Sequence, residues 1–228
     1  MRKIEAIIFD KDGTLFDFAA TWGAWAESVL DHIGMVVPGA EEAVGRAIGF
    51  DRTLGVFSPD SVVIAGTAAD VEAAAGPVLP QGFNLISVLD RLAQEIKPAP
   101  VPGLIRALET LGQGRILGVV TNDSEAPARA HLATMSITHH FDFIAGYDSG
   151  FGAKPAPGQL LGFCKATGAQ AQATAMVGDS RHDLEAGRAA GMVTIGVLTG
   201  LASRADLNDL ADVVLEDISE IDAWLSPG

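Results

Sequence analysis

The sequence has one cysteine, Cys164, in 228 residues, so no intramolecular disulfide can form. It sits in an apolar, helical setting with no paired histidine, which is the environment of a packed thiol and not of a nucleophile. Basic residues are scarce: 15 lysines and arginines stand against 29 acids, a formal charge of −14. That field repels polyphosphate backbones and anionic headgroups, so neither nucleic acid nor a membrane surface is an expected partner. The opening Met1-Arg2-Lys3-Ile4-Glu5 carries no secretory apolar stretch, and the cytoplasm is the expected location. No apolar run nears the ~18 residues of a membrane span. Gly112, Gly114 and Gly118 miss the dinucleotide spacing and precede a strand pattern instead of following one, and there is no phosphate-loop GK[ST]. Internal repeats and low-complexity tracts are also missing.

What the chain does have is apolar material, 48% hydrophobic against 19% charged residues, enough to build a core. At roughly 150 residues per domain, this length suits one domain carrying an insertion. Ile4 to Phe9 reads as a buried strand running into the turn Asp10-Lys11-Asp12-Gly13. Further strand patterns come late, at 116–121, 141–145, 174–177, 193–197 and 213–215. Helical patterns at 103–111, 125–135, 156–168, 182–190 and 203–210 separate them. This alternation predicts a doubly wound α/β domain with a parallel sheet, whose ligand site lies at the C-terminal strand ends.

About eighty residues after the first strand show no core strand pattern. Trp22, Trp25, Ala26, Val29, Leu30 and Ile33 recur at helical spacing, and the two tryptophans are read as packing residues. More helices are expected at 39–48, 59–66, 68–75 and 84–96, with start signals at Ser58-Pro59 and in the capping box Thr67-Ala68-Ala69-Asp70. The insertion ends in the stiff strap Pro98-Ala99-Pro100-Val101-Pro102-Gly103. The expected organisation is therefore a core of residues 1–17 and 98–228 with an all-helical cap at 18–97. Two connections, the strap and the segment around Phe16, Asp17 and Phe18, permit a hinge.

On an extended strand Asp10 and Asp12 point to one side, and Gly13 lets the chain turn sharply after them. A plain surface turn uses the same residue types. The run Asp10-Lys11-Asp12-Gly13-Thr14-Leu15 also resembles the first motif of the haloacid dehalogenase superfamily of phosphohydrolases. Gly118-Val119-Val120-Thr121-Asn122 resembles the second motif, Lys154-Pro155 the third and Gly178-Asp179-Ser180-Arg181-His182-Asp183 the fourth. The order is the family's, and the insertion between the first and second motifs resembles its helical cap class, so the resemblance spans essentially the whole chain. Lys11 is a mild departure, because many relatives carry an apolar residue there. Asp12 speaks for phosphate-ester chemistry, since dehalogenating and phosphonate-cleaving relatives characteristically have no acid at that position.

If Asp10, Asp12, Asp179 and Asp183 converge, Lys154 offsets one of four negative charges, and a phosphate dianion would be repelled without a divalent cation. Carboxylate oxygens with no histidine or cysteine cluster suit Mg²⁺. The resemblance implies Asp10, Asp179 and the backbone carbonyl of Asp12 as ligands, with Asp183 ordering the shell. It further implies Asp10 as nucleophile, Asp12 as acid and base, Thr121 bonding a phosphoryl oxygen with Asn122 beside it, and Lys154 neutralising charge on the transferring group. Gly49-Phe50-Asp51-Arg52 resembles a cap loop whose arginine holds a second anionic group, as on phosphoglycolate or a sugar bisphosphate; a solvated loop arginine is the other reading, and Arg46 has a weaker case. His139-His140 lacks ligand spacing, and His182 falls among the fourth motif's variable positions.

The expected activity is a phosphatase acting on a small phosphate monoester, in a monomer or homodimer. A phosphosugar mutase using the same carboxylates is the alternative. A phospho-accepting signalling module also combines acids, a threonine and a lysine, but its acceptor ends a middle strand of an uninterrupted core.

Overall fold

The computed structural model describes residues 3–226. In chain order it runs β1 (Ala6–Phe9), α1 (Phe18–Val36), α2 (Glu41–Ala47), β2 (Phe50–Asp51), β3 (Val56–Phe57), α3 (Val62–Ala65), α4 (Ala68–Ala75) and α5 (Leu85–Glu95), all but β1 in the insertion. The chain continues with α6 (Leu104–Leu111), β4 (Ile116–Val120), α7 (Glu125–Thr134), β5 (Phe143–Ala145), α8 (Gly158–Thr167) and β6 (Thr174–Gly178). It closes with α9 (Arg181–Ala189), β7 (Val193–Val197), α10 (Arg204–Leu207), β8 (Val213–Leu215) and α11 (Ile221–Leu225).

Six strands form one parallel sheet in the order β5-β4-β1-β6-β7-β8. All four residues of β1 are buried because the strand lies mid-sheet, covered on both faces. Its Ile7 and Phe9 pack into one layer with Leu108, Val119 and Val177, and its Ala6 and Ile8 into the other with Phe163 and Met176. The order steps outward from β1 in both directions, which puts a crevice at the C-terminal ends of β1, β4 and β6.

Residues 18–96 gather a separate apolar cluster around Trp25, Val29, Leu30, Ile33 and Leu89. Asp17 opens α1 by accepting from the Ala20 N–H at 2.8 Å. The Trp25 indole N–H donates to the Leu89 carbonyl at 3.1 Å, tying α1 to α5. Both connections to the core lie side by side: Asp17 N–H donates to Ala99 O at 2.8 Å and Val101 N–H to Leu15 O at 3.0 Å. No helix among the described residues is long and apolar enough to cross a membrane.

Three local expectations change. The insertion is helical except for the hairpin β2–β3, where Phe50 pairs with Phe57 and their ring centroids lie 4.9 Å apart. Short strands form there because the aromatic pair stacks across the turn. Helix α3 starts at Ser61, whose hydroxyl accepts from Val63 N–H, and not at Ser58-Pro59. The 203–210 helix shrinks to the four residues of α10, while the Thr67–Asp70 capping box forms as read.

Candidate active site

The crevice collects the motif residues from three strand ends and one loop. Asp10 directly follows β1, and its N–H donates to Val177 O of β6 at 2.8 Å. Lys154, buried on the loop before α8, donates to Asp10 Oδ1 at 2.5 Å, Asp183 Oδ1 at 2.6 Å and Val120 O at 3.2 Å. All three ammonium hydrogens are therefore engaged. Asp183 is delivered by the first turn of α9. Its Oδ2 accepts from the Ser180 N–H and hydroxyl in a capping box, at 3.1 and 2.7 Å, leaving Oδ1 for the lysine. Asp179 lies in the turn between β6 and α9 and takes a hydroxyl bond from Thr14 at 3.3 Å. A Cβ at Gly13 or Gly200 would fall 2.3 or 1.7 Å from Asp179 Oδ2, and Gly13 has φ +79°, so both positions must lack a side chain for the carboxylate to fit.

Carboxylate oxygens of Asp10, Asp179 and Asp183 lie within 4.8 Å of one another. Burial pushes the Asp10 carboxyl up to about 7; Lys154 opposes the rise, and Asp183 and Asp12 add to it. Asp179 is raised for the same reasons, burial first and then Asp183 and Asp10. Burial alone would lower Lys154, but Asp10 and Asp183 outweigh it and hold the ammonium charged. Three hard oxygen donors with one lysine are short of positive charge, and that donor set fits a divalent cation such as Mg²⁺.

Asp12 lines the same crevice and is tied to a second lysine. Its Oδ2 pairs with the fully buried Lys11 at 2.6 Å, and its Oδ1 has no hydrogen-bond partner among the described residues. Lys11 also reaches Asp123 Oδ2 at 3.2 Å, His131 Nδ1 at 3.2 Å and the Trp22 ring, 5.2 Å from its centroid. An ammonium can only donate to Nδ1, so Nε2 carries the ring proton and donates to Ala93 O of α5 at 2.7 Å. Burial and then Lys11 push His131 down to about 4, which keeps this tautomer neutral. Burial raises Asp123 to about 6 against the pull of Lys11.

Thr121 directly follows β4 and lines the crevice, its hydroxyl accepting from Asp123 N–H at 3.0 Å. Asn122 faces the same space, but its amide is engaged: it donates to Lys154 O and to Ala65 O of the cap, and accepts from Lys154 N–H at 2.9 Å. It thus holds the lysine loop to the cap. Arg52 is not brought to this crevice. It pairs with Glu27 at 2.8 Å and with Asp31, and lines a separate hollow with Glu41 and Leu54. Two acids on adjacent turns of α1 attract it more strongly than a distant cleft.

Sequence reasoning missed Asp123 and His131. For Asp123 the available signal was Lys11, because a cation in an otherwise apolar strand end requires counter-charges, and Asp123 directly follows the second motif; His131 had no such signal.

Comparison with known proteins places the chain. Residues 7–197 match the family model of the haloacid dehalogenase-like hydrolases. The phosphoglycolate phosphatase of Chromobacterium violaceum is 32% identical, over 97% of this chain and 96% of its own. That of Mesorhizobium japonicum is 30% identical, over 87% and 84%. A crystal structure of a predicted phosphoglycolate phosphatase from Haemophilus somnus superposes with a TM-score of 0.75, covering 99% of this chain and all of that one; at 22% identity this likeness concerns the fold. The α/β core and its site therefore define a hydrolase. The chain belongs to the haloacid dehalogenase-like family.

Proposed function

We propose that the protein is a magnesium-dependent phosphatase that hydrolyses a small phosphate monoester through an aspartyl phosphate on Asp10. The observation that carries this reading is the cluster of Asp10, Asp179 and Asp183 in the crevice, with the one lysine beside it, Lys154, paired to Asp10 and Asp183. Relatives named phosphoglycolate phosphatase support ester hydrolysis over dehalogenation.

Asp10 and Asp179, with the Asp12 carbonyl, would hold Mg²⁺, and Asp183 would order them. A bound divalent ion supplies the positive charge that offsets the carboxylates and the substrate's phosphoryl oxygens. The Asp10 carboxylate attacks phosphorus, and the bond from phosphorus to the ester oxygen breaks. Asp12 gives its proton to that oxygen, which leaves as the alcohol. Asp12 then takes a proton from water as the water attacks the aspartyl phosphate, releasing inorganic phosphate and restoring Asp10. Thr121 donates its hydroxyl to a phosphoryl oxygen, and Lys154 holds the transferring group against its negative surroundings. Substrate enters and product leaves by rotation of the cap, residues 18–97, about its two connections.

The test is phosphate release from a panel of small esters, with Mg²⁺ and with chelator, for wild type and Asp10→Asn. Release that needs metal and is lost in the variant is the expected result. Sugar-phosphate isomerisation without net phosphate release would replace hydrolysis with mutase chemistry.

A further inference from the structure

The wall opposite the carboxylates bears on the alcohol half of the ester. Resting on the phosphatase reading, we propose that the leaving group is uncharged and turns apolar surface toward the cap, so that esters carrying a second anion are disfavoured.

The cap side of the crevice is built from Phe18, Trp22, Val63, Ile64, Val71 and Leu89. Of the described lysines and arginines, only Lys154 lines the space, and it is already held between Asp10 and Asp183. Lys11 is closed off beneath the site, with no exposure, and divided between Asp12 and Asp123. The charged group that the cap itself contributes is an acid, Asp90 of α5, which accepts from the Ser124 hydroxyl at 2.7 Å. Burial raises its carboxyl, and Asp148 adds to the rise.

Two other sources of positive potential are already occupied. Arg52 is paired in a different hollow. The N-terminus of α4 borders the crevice at Thr67, but the Asp70 carboxylate sits on both the Thr67 N–H, at 2.8 Å, and its hydroxyl, at 2.7 Å. His182 belongs to the core side, in the turn that carries Asp179 and Asp183. A distal carboxylate or phosphate entering here would lose its hydration, meet no free lysine or arginine among the described residues and approach Asp90. An uncharged, partly apolar group would replace water on the tryptophan and aliphatic wall.

The test uses two isosteric pairs with wild-type protein and Mg²⁺. Binding is read from tryptophan fluorescence, since Trp22 and Trp25 line the crevice, with 3-methylbutylphosphonate against 3-phosphonopropionate. Hydrolysis is read as kcat/KM for isobutyl phosphate against 2-phosphoglycolate, alcohols of comparable leaving ability. The branched alkyl member of each pair is expected to win by about tenfold or more, the size of one unpaired charge in a partly wet site. Equal or reversed binding overturns the inference even when both esters are hydrolysed. The predicted binding order with no phosphate released from either ester overturns hydrolysis and leaves the pocket's preference standing.

Discussion

Two buried lysines flank the end of β1, and their surroundings differ in one respect. Lys154 serves Asp10 and Asp183 with Asp179 alongside, and the group opens onto the crevice. Lys11 serves Asp12 and Asp123, with a neutral histidine completing its shell and an indole ring beside it. The first cluster carries three acids to one cation, and the second two. The second also reaches across to the cap through His131 and Ala93. Surplus negative charge beside a cavity suits a cation and a phosphate, whereas a fully buried lysine whose two acids edge the same crevice holds parts together. The same residue types thus do different work around the two lysines, and Asp12 belongs to both settings, with one oxygen on Lys11 and the other without a hydrogen-bond partner among the described residues.

The largest expected effect lies around Lys154. Asp10→Asn should lower phosphate release by more than ~10³-fold with circular dichroism unchanged, since a carboxamide is not a nucleophile. Lys154→Met should lower it by roughly 10²- to 10³-fold through loss of a preorganised charge. Around Lys11 the same kind of change should appear as stability. Lys11→Met leaves two largely buried carboxylates at the crevice edge without their cation and should cost about 3 kcal/mol in urea unfolding. A Lys11→Met protein as stable as wild type would erase the distinction between the clusters.

His131 sharpens the comparison through pH. The unfolded ring protonates near 6.5 and the folded ring at about 4, so between these values the unfolded chain binds the extra proton. The contribution is complete above pH 6.5 and is lost as the pH falls to about 4. Wild type should therefore lose up to roughly 3 kcal/mol relative to His131→Gln between pH 7 and pH 4. Parallel stability curves for the two proteins would mean that the ring titrates normally.

The smallest effect concerns the metal. Asp10, raised to about 7, and Asp179, raised with it, hold protons at low pH; the stability of that arrangement is complete below the unfolded value of 3.8 and is lost as the pH rises through about 7. Mg²⁺ should recover the loss, raising Tm by about 5 °C at saturation near pH 8 and by much less at pH 5.5. Asp10→Asn should shrink the shift, and Asp123→Asn should not.

Much of this layout was readable from residue order. Short apolar runs ending in Asp10, Thr121 and Asp179 marked the central strands and the site together, because parallel strands buried on both faces must be apolar up to the point where they open at their ends. The cap's helical spacing gave α1 and its packing face, and the Thr67–Asp70 pattern gave the start of α4. What escaped depends on pairings distant in sequence. Nothing near Arg52 announces that Glu27 and Asp31 will hold it, and nothing near Lys11 announces His131, 120 residues away. The hairpin at Phe50 and Phe57 escaped because two residues per strand are too few to display a period.

The central claim is that Asp10 becomes covalently phosphorylated. With substrate and Mg²⁺ present, borohydride quenching reduces an aspartyl phosphate to homoserine, which peptide mass spectrometry locates. The account predicts homoserine at position 10 in wild type and none in Asp10→Asn or in chelator. Steady phosphate release with position 10 unmodified, or with the label at Asp12, would contradict it.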